Sequence, residues 1–209
     1  MGKDHIHIIG AGGHAKVVLD AIVEKDPGAV VSVYDSRPDL LKKMIFGQYE
    51  IQDQNTLKQL NHLHIAIGDN KIRENVALKF SHSLNDLQTI IHTKSIVSLN
   101  SIIKEGCFVA AGAIVGPDSR INHGTIVNHM AIVDHDCQIG SWVHIAPNAT
   151  LGGGVMLDDG VFVGAGSVIL PGIRVGKNSI VGAGAVVTQD VPNGTTVIGI
   201  PAKGKLKLK

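Results

Sequence analysis

The stretch IVDHDCQIG, residues 132–140, places His135 between Asp134 and Asp136. An imidazole titrates near neutral pH and can accept a proton from an amine or hydroxyl that attacks a carbonyl. A carboxylate on its other ring nitrogen would fix the tautomer and stabilise the imidazolium that forms. Either aspartate could fill that role, and the sequence does not choose between them. A solvated polar corner of a scaffold is the alternative, so the surrounding elements must supply the geometry.

The bulk composition excludes several classes of protein. The 209-residue chain has a formal net charge of +1, which gives no support to a nucleic-acid or membrane-surface role. It is 44% hydrophobic but only 3% aromatic, which suggests an interior too narrow for bulky rings. Cys107 and Cys137 fit neither a disulfide nor a zinc pattern. We expect a cytoplasmic protein without a signal peptide, a membrane span or a bound metal.

From about residue 90 an aliphatic residue recurs every six residues. A period of six fits neither an α-helix nor an alternating strand and is typical of a hexapeptide β-helix. Three short strands make each triangular coil, so 17 repeats give nearly six coils. These side chains and the small ones four residues later, including Cys107 and Cys137, should point into the prism. The aliphatic positions are Ile91, Val97, Ile103, Val109, Val115, Ile121, Val127, Val133, Ile139, Ile145, Leu151, Leu157, Val163, Ile169, Val175, Val181 and Val187.

Residues 5 to about 84 instead alternate strand and helix patterns, which predicts a small parallel sheet. The predicted strands are HIHIIG, AVVSVYD and HLHIAIGD, and the predicted helices are AKVVLDAIVEKD, the short DQNTLKQLN, and NKIRENVALKF with Asn70 as its cap. We therefore place one domain at 1–84 and a β-helix domain at 85–209. The first domain should cover one end of the prism, and VPNGTTVIGIPAKGKLKLK the other.

A glycine motif follows the first predicted strand. Gly10, Gly12 and Ala15 satisfy G-x-G-x-x-A, and Asp35 ends the second strand, as in dinucleotide-binding folds with a ribose-binding acid. The region before the repeat is long enough for one mononucleotide half and not for two, which weakens an oxidoreductase interpretation. One half can still hold a nucleotide diphosphate against helix N–H groups. The alternative is that these glycines have a structural role only and allow the chain to turn.

Together these features resemble the hexapeptide-repeat acyltransferases. The closer resemblance is to two-domain sugar acetyltransferases, which include UDP-4-amino-sugar N-acetyltransferases of the bacillosamine pathway and sialic acid O-acetyltransferases. The matching stretches are IIGAGGHAKVV, IAIGDNKIR, VNHMAIVDHDCQIGSWVHIAP, LPGIRVGKNSIVGAGAVV and VIGIPAK. The resemblance implies an α/β N-terminal Rossmann-like half domain followed by a left-handed parallel β-helix. It also implies acetyl-CoA as co-substrate and a homotrimer with sites between adjacent prisms.

The resemblance assigns roles to individual residues. It makes His135 the general base and Asp136 the acid that raises its basicity, although many relatives carry a longer Glu there. His123 and His129 occupy the same place in their hexads as His135, but each step of six moves to another face, so we interpret both as corner residues. The resemblance places His144, Ala165, Ala183 and Lys203 at acetyl-CoA. It places Gly12, Gly13, His14, Asp35, Gly68 and Asn128 at the nucleotide sugar.

We therefore expect an enzyme that acetylates the amino group of a UDP-linked 4-amino-4,6-dideoxy sugar. One alternative keeps the fold and acts as a sialic acid O-acetyltransferase. A second is a zinc-dependent γ-type carbonic anhydrase, which shares the trimeric β-helix, although the histidines here lack that family's close-paired spacing. A non-catalytic scaffold is the third.

Overall fold

The computed structural model describes residues 5–58, 60 and 62–204. Its N-terminal part is a five-stranded sheet with the order β3-β4-β2-β1-β5, in which β3 pairs antiparallel with β4 and the other neighbours are parallel. The strands are β1 His5–Ile9, β2 Val30–Asp35, β3 Met44–Ile45, β4 Tyr49–Asp53 and β5 Leu63–Ile65. The helices are α1 Gly13–Lys25 and α2 Asn70–Phe80, with 3-10 turns at Gln54–Thr56 and Leu84–Asp86.

The predicted short helix over residues 53–61 is wrong. That region holds the end of β4 and a single 3-10 turn, Gln54–Thr56, while Gln59 and Asn61 lie outside the described residues. The preceding segment YEIQD alternates buried and exposed side chains and pairs with β2, so strand pairing extends further than the helix prediction allowed.

The predicted cap of α2 is also wrong by one residue. Asp69 is the N-cap, and its Oδ1 accepts the backbone N–H of Ile72 at 2.8 Å. Asn70 is the first helical residue, and its side-chain amide donates to the carbonyls of Gly160 and Val161, each at 3.1 Å. The Asn70 side chain therefore joins the helix to the repeat region instead of capping the helix.

Beyond residue 90 the chain winds into a three-sided prism of two-residue parallel strands. Between residues 90 and 187, strands that are three apart in sequence pair with each other, so that Ile114 lies opposite Ile132. The first face contains β6, β9, β12, β15, β18, β21, β23 and β24; the second β7, β10, β13, β16, β19 and β22; the third β8, β11, β14, β17 and β20. The strands are β6 Ile90–Ile91, β7 Ile96–Val97, β8 Ile102–Ile103, β9 Phe108–Val109, β10 Ile114–Val115, β11 Arg120–Ile121, β12 Ile126–Val127, β13 Ile132–Val133, β14 Gln138–Ile139, β15 His144–Ile145, β16 Thr150–Leu151, β17 Met156–Leu157, β18 Phe162–Val163, β19 Val168–Ile169, β20 Arg174–Val175, β21 Ile180–Val181, β22 Val186–Val187, β23 Thr196–Ile198 and β24 Lys203–Gly204.

The core of the prism follows the six-residue pattern. Each predicted aliphatic residue is the second residue of its strand, and those from Val109 to Val187 are at most 2% exposed. Burying one such side chain contributes about 1.5–3 kcal/mol, so the stacked column supplies much of the stability of the prism. Cys107 and Cys137 are completely buried at the small inward position, which confirms them as core residues. Burial raises the pKa of Cys107 to about 12, so this thiol is not a nucleophile at neutral pH.

The N-terminal domain packs against the first face of the prism and not only over its end. Phe108 and Ile126, which point outward from this face, are buried in one cluster with Ile8 and Ala15 of the N-terminal domain. The sequence predicts only that this domain covers one end of the prism, whereas the structure shows that it also packs along a face. At the other end β23 and β24 extend the first face, and residues 205–209 of the predicted cap lie outside the described part of the chain. Within the described residues no helix is long and apolar enough to cross a membrane.

Candidate active site

His135 lies in the turn between β13 and β14, at the corner between the second and third faces. Asp136 adopts a left-handed backbone conformation with φ of 60°, and its Oδ2 lies 2.7 Å from Nδ1 of the His135 ring. Asp134 Oδ1 accepts the backbone N–H of His135 at 2.8 Å. The hydrogen bond with Asp136 is the largest cause that raises the pKa of His135, and the charge of Asp134 is the second. Asp136 thus contacts the ring, and Asp134 holds the backbone.

The imidazole of His135 is exposed, and its Nε2 has no hydrogen-bond partner among the described residues. Gly153 lies one coil further on, beside this ring. A methyl group on Gly153 would sit 2.5 Å from both Cε1 and Nε2 of His135, so the ring occupies space that only glycine leaves open. The backbone N–H of Gly153 also donates to no group within the described residues. A reacting carbonyl beside Nε2 would therefore find an unpaired N–H donor close by.

A cavity of about 410 Å³ opens at the carboxyl edge of the N-terminal sheet. Helix α1 begins there after Gly12, which provides no side-chain cap, and the first turn carries no acidic residue. Its first N–H groups and its positive dipole end are therefore available to an anion. The described residues lining the cavity are Gly10, Gly12, Gly13, His14, Asp35, Ser36, Arg37, Gln54, Ala66, Ile67, Gly68, Ile72 and Val76.

Asp35 lies in this cavity, but its carboxylate already binds four donors of its own chain. Oδ2 accepts the N–H of Ala11 and Nη2 of Arg37, both at 2.8 Å, and Oδ1 accepts the N–H and Nε of Arg37, both at 2.9 Å. Desolvation alone would raise the pKa of Asp35, but the hydrogen bonds from Arg37 and Ala11 outweigh it and hold that pKa below its ordinary value. Asp35 therefore presents a fixed Arg37 guanidinium to the cavity.

Three histidines, His14, His64 and His144, lie where the N-terminal domain meets the first face. His64 is fully buried, and His14 and His144 are partly buried. Burial lowers the pKa of His14 to about 3 and those of His64 and His144 to about 4, so all three rings are neutral at pH 7. His144 Nδ1 donates to the carbonyl of Gly68 at 3.0 Å, which leaves Nε2 to accept from Asn128 Nδ2 at 3.1 Å. His14 Nε2 is buried without a partner among the described residues.

Arg73 of α2 links the wall of the cavity to the prism through hydrogen bonds. It is 1% exposed, and burial lowers its pKa to about 10, so it is still charged at pH 7. Its guanidinium donates to the carbonyls of Ile67 and Gly68 in the cavity wall, at 2.9 and 3.1 Å. It also donates to the carbonyls of Gly124 and Val143 in the coils, at 2.7 and 3.2 Å. These bonds satisfy a buried charge and hold the turn after β5 against the first face.

The residues predicted at acetyl-CoA lie along the first face and its border with the second. Ala165 and Ala183 are exposed in successive turns between these two faces, and the N–H of each is unpaired within the described residues. Lys203 is exposed in β24 at the carboxyl end of the prism. His144, by contrast, is largely buried, and both of its ring nitrogens are engaged inside the chain.

A single chain keeps the cavity and His135 apart. The cavity is joined to the first face, because its wall residue Gly68 binds His144 of β15. His135 stands at the corner between the second and third faces, which in a three-sided prism is opposite the first face. The histidines at equivalent hexad positions are also separated, since His123 lies between the third and first faces and His129 between the first and second. No group of three or more metal-ligating side chains comes together among the described residues.

A three-sided β-helix with an exposed His–Asp pair on a corner, preceded by an α/β domain with a cavity at the start of its first helix, is typical of a hexapeptide acyltransferase. The family model for the PglD N-terminal domain matches residues 5–80, and that for the GMPPB C-terminal domain matches residues 74–180. No curated protein matches the chain.

Several solved structures are similar over almost the whole chain. Perosamine N-acetyltransferase of Caulobacter crescentus, solved as a mutant with CoA and GDP-perosamine, is 34% identical with a TM-score of 0.83 and 97% of each chain covered. The acetyltransferase domain of PglB from Neisseria gonorrhoeae FA1090, solved with acetyl coenzyme A, is 35% identical with a TM-score of 0.83, covering 98% of this chain and 100% of that one. WeeI from Acinetobacter baumannii AYE is 26% identical with a TM-score of 0.84, covering 97% and 100%.

The chain belongs to the hexapeptide-repeat family of nucleotide-sugar acetyltransferases. Its class is that of the CoA-dependent sugar N-acetyltransferases, with acetyl-CoA as the co-substrate. The predicted fold class, an α/β Rossmann-like half domain followed by a left-handed parallel β-helix, is confirmed. The roles of individual residues and the identity of the nucleotide remain predictions.

Three residues of the site were missed from the sequence. Gly153 follows His135 by one coil, so the repeat itself carried the signal that could have found it. Arg37 follows Asp35 by two residues, a spacing that allows the side chain to fold back on the carboxylate. Arg73 ends the matching stretch IAIGDNKIR but was given no role, because a charge in an exposed-looking helix is normally solvated.

Proposed function

We propose that this enzyme transfers the acetyl group of acetyl-CoA to the amino group of a nucleotide-linked 4-amino-4,6-dideoxy sugar, with His135 as general base. The observation that carries the proposal is the exposed His135 ring, which is bound through Nδ1 to Asp136 and whose Nε2 has no partner in the described part of the chain. Because Nδ1 faces a carboxylate, it keeps its proton in the neutral ring, and Nε2 is left as the proton acceptor. That is the arrangement that acyl transfer to an amine requires.

The reaction can be written with these groups alone. The sugar amine attacks the thioester carbonyl, and Nε2 of His135 takes its proton as the C–N bond forms. The backbone N–H of Gly153, which has no partner among the described residues and belongs to a residue beside the His135 ring, would bind the oxyanion of the tetrahedral intermediate. When the C–S bond breaks, the imidazolium returns the proton to the departing CoA thiolate. Asp136 stabilises the imidazolium between these steps.

Acetyl-CoA would lie along the border between the first and second faces, and the nucleotide sugar would lie in the cavity of the N-terminal domain that packs on the first face. The N–H groups of Ala165 and Ala183, which bind no acceptor among residues that the structure describes, suit the carbonyl oxygens of a pantetheine arm, and Lys203 suits a CoA phosphate. His144 and Asn128, hydrogen-bonded to each other, would shape the wall between this arm and the acceptor sugar.

The cavity at the start of α1 would hold the nucleotide sugar. Its diphosphate would lie on the N–H groups at Gly12 and Gly13, with His14 and Gly68 beside the sugar and Asp35 at the nucleoside end. Uridine is the nucleoside expected from the sequence, while the similar Caulobacter enzyme was solved with a guanosine derivative.

A complete site then requires a second subunit, because His135 and the cavity of one chain are on opposite sides of the prism. The second face supplies a suitable surface. Its outward residues are apolar apart from one threonine: Ile96, Ile114, Ile132, Thr150, Val168 and Val186. The outward row of the third face contains Arg120, Gln138 and Arg174. We therefore propose a homotrimer in which the second faces are covered and each His135 meets the cavity of a neighbour.

The proposed function is tested by measuring thiol release from acetyl-CoA with a panel of acceptors. The panel contains UDP- and GDP-linked 4-amino-4,6-dideoxy sugars together with free and CMP-linked sialic acid. We expect turnover with a nucleotide-linked amino sugar and a loss of at least about a hundredfold in His135→Ala. His123→Ala, which removes a histidine from the same hexad position on another corner, should retain activity. Full activity in His135→Ala, or acetylation of sialic acid alone, contradicts the proposal.

A further inference from the structure

The order of the strands gives the cavity a direction. Along its carboxyl edge the sheet runs β4-β2-β1-β5. Gly68, which follows β5, is bound to His144 of the prism, whereas Gln54 and Arg37 follow β4 and β2 at the other end. The start of α1, after β1, lies between these ends.

This direction orients the ligand of the proposed function. The diphosphate belongs in the middle, at the start of α1. The sugar amine must reach the acyl group, and the acyl chemistry belongs to the prism, so the sugar lies at the Gly68 end. The nucleobase is then left at the end formed by Arg37, Ser36 and Gln54.

The hydrogen-bonding character of the nucleobase end is set by one ion pair. Asp35 is the acidic residue among those lining the cavity, and its two oxygens already bind Ala11 and three N–H groups of Arg37. Asp35 therefore has little capacity left to accept a hydrogen bond from a ligand. Ser36 and Gln54 can each donate or accept a hydrogen bond. Neither therefore distinguishes a base that presents a carbonyl oxygen from one that presents an amino group.

Arg37, unlike Asp35, still has hydrogen-bonding groups available to a ligand, along the outer edge of its guanidinium. Its Nε and Nη2 bind the carboxylate, which leaves both N–H groups of Nη1 and the second N–H of Nη2 unused by the described residues. The side chain is 53% exposed, and the bidentate pair with Asp35 holds the guanidinium in one orientation. Nη2 would lie 3.8 Å from a methyl group on Gly12, so the guanidinium borders the start of α1.

We propose that Arg37, held by Asp35, makes this enzyme selective for nucleotides whose base presents carbonyl oxygens at that edge, namely uracil and guanine, over cytosine and adenine. Guanine O6 and N7 can accept both outer N–H groups of the guanidinium, and uracil O4 can accept one. The exocyclic amino groups of cytosine and adenine would meet the same donors and leave them unpaired. This inference rests on the proposed function, because it takes the nucleotide to lie in this cavity.

The test is calorimetric binding of UDP, GDP, CDP and ADP to the full chain, without turnover. We expect UDP and GDP to bind roughly tenfold or more tightly than CDP and ADP. In Arg37→Gln this ratio should fall to about threefold or less. The double variant Asp35→Asn/Arg37→Gln, which removes both charges of the pair, should show the same loss and guards against misfolding caused by an unpaired Asp35.

Arg174→Gln is the matched control. Arg174 is 57% exposed and pairs with Asp158 on the third face, away from the cavity, so it should keep the wild-type ratio. Equal binding of all four nucleotides by the wild type, or an unchanged ratio in both Arg37 variants, overturns the inference while leaving the acetyltransferase proposal intact. Failure of the wild type to bind any of the four nucleotides rejects the nucleotide site itself and the inference with it.

Discussion

Gly153 lies against the imidazole of His135, where a methyl group would approach Cε1 and Nε2 to 2.5 Å. The two residues belong to successive coils at the same corner, so the register of the β-helix brings them together. The proposed proton acceptor therefore lies beside a residue whose backbone N–H has no partner among the described residues. Two features of the proposed chemistry, the base and the oxyanion donor, follow from one relationship between neighbouring coils.

Gly153→Ala should therefore impair catalysis without unfolding the protein. The new methyl group displaces an exposed ring that can rotate away, so we expect kcat to fall by roughly tenfold to a hundredfold while the melting temperature changes little. Gly204→Ala, at a position where a methyl group meets nothing within 4 Å, is the control. Wild-type kcat in Gly153→Ala contradicts the assigned geometry.

Asp136→Asn should change the pH dependence of the reaction. Asp136 is the main cause that raises the pKa of His135, and the base is active only when deprotonated, so kcat/KM rises with pH through that pKa. Removing the negative charge lowers the pKa and shifts the rise to lower pH. The plateau should fall by roughly tenfold or more, because the imidazolium loses its partner.

The measurement is a profile of kcat/KM against pH for the wild type and two variants. Asp134→Asn should give the smaller shift, since Asp134 binds the backbone N–H and is the second cause of the raised pKa. A profile for Asp136→Asn that coincides with that of the wild type would show that Asp136 does not act on the base.

The fold could be predicted from the sequence to a much greater extent than the site. The hexads fix the strands, the inward positions and the corner that holds His135, because each is a local consequence of one period. Gly68 and Arg73 illustrate contacts that neither the six-residue period nor the glycine motif predicts. Their hydrogen bonds to His144, Gly124 and Val143 depend on how the N-terminal domain docks on the first face. That docking is a long-range packing outcome without a local signature.

The proposed division of the site between subunits predicts complementation. Gly13→Asp places a carboxylate where the diphosphate is expected, and the position has no neighbour within 4 Å of its new Cβ, so the fold should tolerate it. Gly13→Asp and His135→Ala should each be inactive alone. Mixed assemblies from co-expression should regain a sizeable fraction of activity, because some sites combine an intact cavity from one chain with an intact His135 from another.

The control for complementation is a single chain that carries both substitutions, co-expressed with His135→Ala. It cannot supply an intact His135, so no activity should return. Light scattering should show a particle of three 22.0 kDa chains in every case. Absence of activity in mixed trimers that are shown to form would place both halves of the site in one chain.

The three neutral histidines between the N-terminal domain and the first face, His64 buried and His14 and His144 partly buried, predict a loss of stability in acid. Their folded pKa values, about 3 for His14 and about 4 for His64 and His144, lie below the value of 6.5 expected in the unfolded chain. Between these limits the unfolded chain binds protons that the folded chain does not. Stability is therefore fully present above about pH 6.5 and falls as the pH drops towards 4. Each group contributes about 1.4 kcal/mol per pH unit in that window.

Urea unfolding at a series of pH values from about 7 to about 5 measures this slope. In His64→Asn the amide N–H can replace Nδ1–H, which donates to the carbonyl of Gln88 at 2.8 Å, but the side chain no longer titrates. The slope of unfolding free energy against pH should then fall by up to about 1.4 kcal/mol per pH unit, whatever the change in stability at pH 7. His82→Asn, which makes the same substitution at an exposed histidine after α2, is the matched control. An unaltered slope in His64→Asn would mean that the buried ring already binds a proton in the folded state.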